Sequence, residues 1–417
     1  MPKRMLPGRL ETLIAPYRSL GMSLWAMFFA TMINRFGDFV APFLALYLSR
    51  GLGFDPERTG VLVAVTFGSS TLGALVSGRL ADALGRKRSL LAFQTAAALF
   101  NLAMSFLFRN AWAPWLIVAG SFFRGAARPL IGAVLTDLSP LGRRKEVFGL
   151  QYWSINVGVA VGPLVAAFLF NSHLPWLFRG DALSTLLSVA MVAWGVRMPP
   201  RPASAAVGLE RHDERGALRA FFARPILLAF CAVSLLNSVT YSQTGFALPL
   251  TLSSSMGSRG TTFFGALMSL NAVVVILLSI PLARLLRERA PLWCMAFSGL
   301  FYVAGFGMMA FRLGPWGFAV STVVWTTGEI VAATNVGVFV AKHSPANWRG
   351  SFQSFTGVFA QGGWSLGPLI AGPVLRSGGA SALWPAVAAL CVLWAAGALL
   401  IDRWDSRIGA APDRRDA

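Results

Sequence analysis

The stretch Gly78-Arg79-Leu80-Ala81-Asp82-Ala83-Leu84-Gly85-Arg86-Lys87-Arg88 sits between two apolar runs, at 58–80 and 88–108. About 20 mostly apolar residues suffice to cross a bilayer as a helix. The stretch therefore reads as a tight, charged turn joining two membrane helices. Gly85 suits the turn itself, Gly78 would let a neighbouring helix come close, and the anion Asp82 can meet the N-terminus of a partner helix. Arg86, Lys87 and Arg88 mark the cytoplasmic face, where short loops collect cations.

Working outward gives twelve such runs, at 20–48, 58–80, 88–108, 112–136, 146–170, 174–197, 225–252, 260–284, 291–312, 316–341, 350–376 and 380–402. The long polar connection lies between the sixth and seventh. The expected domains are therefore 1–197, a six-helix bundle; 198–224, a cytoplasmic linker; and 225–417, a second six-helix bundle. Composition agrees, with 55% hydrophobic and 13% charged residues, far below the charged quarter of a soluble domain. The net charge of +19 invites a nucleic-acid partner, but topology accounts for it. With the termini and even-numbered connections inside, 26 basic residues face the cytoplasm, seven face outward and three lie within spans. No nucleic acid is needed to explain that asymmetry.

Lys3, Arg4, Arg9 and Arg18 precede an apolar run from Leu20 to Leu48. That run is too long for the core of a signal peptide, so it is expected to be a retained first span, with both termini cytoplasmic. Cys231, Cys294 and Cys391 lie singly in apolar runs, which argues against a disulfide framework or metal site. The halves also repeat. A shift of 205 residues places Ser139-Pro140 on Ser344-Pro345, Arg144 on Arg349, Gly158 on Gly363, Gly162-Pro163 on Gly367-Pro368 and Arg124 on Glu329. Two repeats of this kind are expected to enclose a site near the bilayer midplane and to rock about it.

The turn from Gly78 to Lys87 matches G-x-x-x-D-x-x-G-R-K/R in full. The chain thereby resembles the major facilitator superfamily, an all-α fold of twelve membrane helices in two pseudo-symmetric bundles. The resemblance implies that Asp82 pairs with the start of span 11, near Arg349 and Gly350, in the outward-open state. The second-half counterpart departs from the pattern, with Ala283, Arg287 and Ala290 at the corresponding positions. Span 5 carries Gly158-x-x-x-Gly162-Pro163, similar to a motif of the drug:proton antiporter branch, although the later glycines of the fuller motif are absent. Glycines four apart admit close helix packing and Pro163 bends the helix.

Ionisable side chains inside a span are costly and are functional candidates by default. Five stand out: Arg35 and Asp38 in span 1, Arg124 and Arg128 in span 4, and Glu329 in span 10. An acid in span 1 with an arginine in span 4 resembles proton-coupled exporters of this superfamily. Asp38 is accordingly the first candidate proton carrier, with Arg124 as its partner. Glu329 is the second, or the ligand of a cationic substrate. A purely structural ion network is the competing reading. Candidate cavity residues are Asn34, Arg35, Arg128, Asn156, Tyr241, Gln243, Asn271, Trp325 and Gln361; amides and aromatic rings suit lipophilic, hydrogen-bonding substrates.

No G-x-x-x-x-G-K-[ST] phosphate loop, H-E-x-x-H or G-x-S-x-G occurs, and His173, His212 and His343 are dispersed. The expectation is a monomeric secondary transporter without cofactor, not an enzyme, in a bacterial inner membrane. Its partners would be a small-molecule substrate, protons and the lipid bilayer. The leading function is proton-coupled export of a lipophilic or amphipathic compound. An anionic metabolite is the alternative, because three intramembrane arginines outnumber two carboxylates. A receptor built on a transporter fold is a minor third.

Overall fold

A computed structural model describes residues 20–140, 143–199, 214–311, 314–345 and 348–410. Helix dominates, and no strand occurs among the described residues. Helices α1 (Met22–Phe36) and α2 (Val40–Leu46), extended by a π-helical turn at Tyr47–Gly51, form span 1. Spans 2 to 6 are α3 (Pro56–Leu84), α4 (Arg86–Leu107), α5 (Ala113–Leu138), α6 (Arg144–Ser172) and α7 (Leu174–Gly195). A short helix, α8 (Glu214–Phe222), precedes span 7, which consists of α9 (Pro225–Tyr241), a 3-10 turn and α10 (Ala247–Met256). Spans 8 to 10 are α11 (Ser258–Leu285), α12 (Pro291–Met308) and α13 (Pro315–Lys342). Spans 11 and 12 run together as α14 (Arg349–Ala410), interrupted at Gly379 with φ 64°.

All twelve apolar runs thus fall on helix. Among the described residues, nine helices are long and apolar enough to cross a membrane by themselves. The difference from twelve has three sources: span 1 is broken, Arg124 and Arg128 dilute the apolarity of span 4, and spans 11 and 12 merge. Bulky apolar side chains stay exposed along these helices, such as Trp194 at 85% and Trp316 at 86%. Hydrocarbon, not water, is the medium that suits such a surface.

The contacts define two compact units. One runs up to Pro42 and resumes from Ser69 to Pro200; the other joins Phe43–Gly68 to the chain from Arg201 onward. The first is cored by aliphatic side chains of spans 1, 3, 4 and 6, including Leu24, Met27, Leu90, Leu130, Val134 and Val192. The core of the second is aromatic, with Phe306 stacked on Trp325 at 5.9 Å and on Trp384 at 6.2 Å. Within this second unit, Phe43 meets Phe264 edge-on at 5.3 Å and Arg376 donates to Glu57 at 2.5 Å.

The repeat has a structural counterpart in two helix breaks. Span 1 is interrupted at Gly37–Phe39 and span 7 at Ser242–Thr244, and a shift of 205 maps one onto the other. Asp38 falls on Gln243. Beside each break, span 5 or span 11 packs through glycine. A Cβ on Gly158 would come within 2.6 Å of the Met32 carbonyl oxygen, and one on Gly162 within 2.5 Å of that of Phe36. A Cβ on Gly363 would come within 2.6 Å of the Leu235 carbonyl oxygen, and one on Gly367 within 2.9 Å of that of Val239. The span 5 glycines therefore act by bringing α6 onto the broken helix. Gly162→Leu is expected to lower stability by ~1–3 kcal/mol, the usual cost of overpacking, measured as a fall in the thermal unfolding midpoint.

Candidate functional site

Breaking a helix inside a membrane frees backbone amides that lipid cannot satisfy. At the break in span 1, the Val40 amide donates to Asp181 Oδ2 at 3.2 Å. Asp181 lies on α7 and is 2% exposed; Asn101 of α4 donates to its Oδ1 at 2.8 Å. Arg124 of α5 joins this carboxylate to a second one. Its Nη1 donates to Asp38 Oδ1 at 2.5 Å and its Nη2 to Asp181 Oδ1 at 3.3 Å. Arg35 completes the chain, donating from Nη1 to Asp38 Oδ2 at 3.2 Å. One guanidinium thus bridges the acid at the break and the acid that holds the break.

These groups line a cavity of about 40 Å³ together with Asn34, Arg128 and Gln94. Asn34 is fixed by a 3.0 Å bond to the Thr185 hydroxyl. Arg128 is not in an ion pair among the described residues, so three arginines face two aspartates. The volume is room for a few water molecules, well below the several hundred Å³ of a drug-sized pocket.

Asp181 is a member of this cluster that sequence reasoning passed over. It falls inside the run 174–197, so a complete count of charges within the limits already set would have found it. With it, the ionisable candidates within spans become six: Arg35, Arg124, Arg128, Asp38, Asp181 and Glu329. Around the Asp38 cavity three arginines stand against Asp38 and Asp181.

Glu329 lies in the second unit, on α13. Asn271 of α11 donates to its Oε2 at 2.8 Å and to the Thr326 hydroxyl at 2.9 Å. The Tyr241 hydroxyl also hydrogen-bonds the carboxylate. The Tyr241 ring packs against Trp364 at 5.5 Å and Trp325 at 6.0 Å, and Phe67 lies 5.5 Å from Trp364. Among the described residues, no cationic side chain pairs with Glu329. The carboxylate is held by neutral donors beside aromatic rings.

The other expected residues divide. Gln243 is buried at the break in span 7 and donates to the Val239 carbonyl at 3.0 Å. Trp325 is 1% exposed and belongs to the aromatic core, so it does not line open space. Asn156 bonds the Tyr152 carbonyl within its own helix at 2.8 Å and joins neither cluster. Gln361 on α14 is half-buried, with no hydrogen bond among the described residues. In the charged turn, Gly85 has φ 87°, which a side chain would resist. Arg86 pairs with Asp137 at 2.5 Å, and Lys87 donates to the Ala193 and Val196 carbonyls at 2.8 and 2.7 Å. The turn thus fastens the ends of spans 4 and 6. A Cβ on Gly78 would meet nothing within 4 Å among the described residues; close helix approach, expected there, is not made in this conformation. The pairing of Asp82 with Arg349 or Gly350 falls on side chains outside the described residues.

A profile described as the Major Facilitator Superfamily matches residues 26–368. The chain belongs to the Major Facilitator Superfamily. Among relatives in this superfamily, a Na(+), Li(+), K(+)/H(+) antiporter of Planococcus maritimus is 26% identical over 377 residues, covering 80% of this chain and 84% of its own. The 4-hydroxybenzoate transporter PcaK of Pseudomonas aeruginosa is 28% identical over 360 residues, covering 83% and 73%. A crystal structure of the nucleoside transporter NupG, as a point mutant, superposes with TM-score 0.78 at 16% identity, covering 91% of this chain and all of that one. The protein is thus a multi-pass membrane transporter with the superfamily's all-helical fold.

Proposed function

We propose that this transporter exchanges protons for a lipophilic or amphipathic compound and exports it, with both termini in the cytoplasm. One observation carries the reading: Arg124 bridges Asp38 at the break in span 1 to Asp181, which holds that break. Protonating Asp38 removes one of the guanidinium's two anionic partners. Arg124 can then shift toward Asp181, which also holds the Val40 amide. Proton occupancy is thereby coupled to the geometry of the broken helix, as an antiporter requires, since a ligand shifts a conformational equilibrium only by its differential interaction with the two states. The proton antiporter among the relatives supports the same class of mechanism.

Glu329 forms a second acidic site, within aromatic surroundings. A carboxylate beside Tyr241 and Trp364 suits an apolar body bearing a positive or hydrogen-donating group. The anionic alternative draws on Arg128 and on the 4-hydroxybenzoate transporter among the relatives. Against it stands a cavity too small to admit an aromatic acid beside Arg128.

Proteoliposomes with an imposed pH gradient separate these readings. Gradient-driven movement of ethidium, a lipophilic cation, is expected, with none of labelled 4-hydroxybenzoate. Movement of the acid alone, lost in Arg128→Ala, would establish the anionic reading instead. Glu329→Gln is expected to raise the KM for ethidium roughly tenfold, the scale of one charge-assisted contact, while the pH dependence of transport is kept.

A further inference from the structure

Basic residues on outward connections run against the positive-inside bias, so each calls for a reason of its own. Several have one in the fold: Arg58 approaches Asp55 at 3.6 Å, Arg376 pairs with Glu57, and Arg50 donates to the Thr261 hydroxyl at 3.1 Å. Arg109 and Arg179 have no carboxylate partner among the described residues. Both line one cavity of about 520 Å³ at the end of the first unit where spans 3 and 4, and 5 and 6, turn. No acidic side chain lines it.

The two guanidinium groups are held in place by rings. That of Arg179 lies 5.3 Å from the centres of both Phe106 and Trp176, with Nε directed at the Ser105 hydroxyl at 3.4 Å. That of Arg109 lies 5.3 Å from the centre of Phe108. Aromatic faces orient a guanidinium while leaving its N–H edge open, and that edge matches a phosphate bidentately. Phe106, Trp112 and Trp115 are 69%, 67% and 56% exposed around the same end. Exposed tryptophan of this kind marks the headgroup depth of a bilayer.

We propose that this cavity binds a phosphate-bearing anion through Arg109 and Arg179, supplied by an anionic phospholipid headgroup of the adjacent leaflet. In the orientation proposed above, that leaflet is the outer one. The site is separate from the Asp38 cluster and does not depend on what is transported.

Native mass spectrometry of the purified full-length protein in detergent tests it, with phosphatidylglycerol, phosphatidylcholine and inorganic phosphate as probes. The wild type is expected to retain phosphatidylglycerol in preference to phosphatidylcholine, without displacement by inorganic phosphate. Arg109→Gln/Arg179→Gln should weaken retention roughly tenfold or more, since each guanidinium contact to a charged group is worth about that factor. Arg259→Gln, an exposed outward arginine elsewhere, should leave it unchanged. Arg109→Gln alone alters only an exposed side chain and should give a partial loss, which keeps the test sound if the double variant folds poorly. Displacement by inorganic phosphate would uphold the site with a water-borne source. Equal retention by the wild type and both variants would overturn the proposal.

Discussion

Asp38→Asn is expected to reduce pH-gradient-driven transport by ~100-fold or more, the scale on which loss of a proton-transferring group acts. Asparagine keeps the size of the side chain and an oxygen for Arg124, so the fold should survive. What it removes is the charge that changes when a proton arrives. Arg124 would then be held permanently as it is when Asp38 is protonated, and the broken helix would lose its dependence on proton occupancy. Uptake of ethidium into everted vesicles, driven by an imposed gradient, measures the loss. Substrate exchange without a gradient should persist, because it needs the conformational cycle but no net proton movement.

Arg124→Ala is expected to be the most destabilising single change, at ~3–5 kcal/mol, because it takes the shared cation from the buried carboxylate of Asp181 and the partly buried one of Asp38. Asp181 would retain Asn101 and the Val40 amide, whereas Asp38 would retain only Arg35. Asp181→Asn in the same chain should recover part of the loss, since it removes one of the stranded charges. The energetic coupling between the two positions follows from a double-mutant cycle on thermal unfolding in detergent. Arg124→Lys should recover less than a charge count implies, because an ammonium lacks the planar fork that reaches both acids. Additivity of the two substitutions would mean that the bridge is energetically idle.

Much of this organisation is legible in the chain itself. The apolar runs mark the spans because hydrocarbon imposes a length, and the charged turn at Gly78–Arg88 marks the family. The repeat anticipates the packing of Gly158 and Gly162 on span 1 and of Gly363 and Gly367 on span 7. Asp38 and Arg124 are found by their cost in a membrane, and they do meet. The helix breaks are less legible: Asn34, Arg35, Gly37, Asp38 and Pro42 crowd the break in span 1, but the apolar run from Leu20 to Leu48 reads equally well as one unbroken span. The stabilising contact comes from Asp181, 141 residues away. Asn156 and Trp325 show the opposite limit. An amide can bond its own helix and an indole can fill a core, and only the packing distinguishes those uses from lining a cavity.

Proton movement measured directly during substrate exchange bears most closely on the central claim. With a pH-sensitive dye trapped in proteoliposomes, ethidium added to the wild type should drive proton flux opposite to its own movement. Asp38→Asn should bind and exchange ethidium with no accompanying proton flux. Proton flux of wild-type size in Asp38→Asn would contradict the account and place the coupling elsewhere.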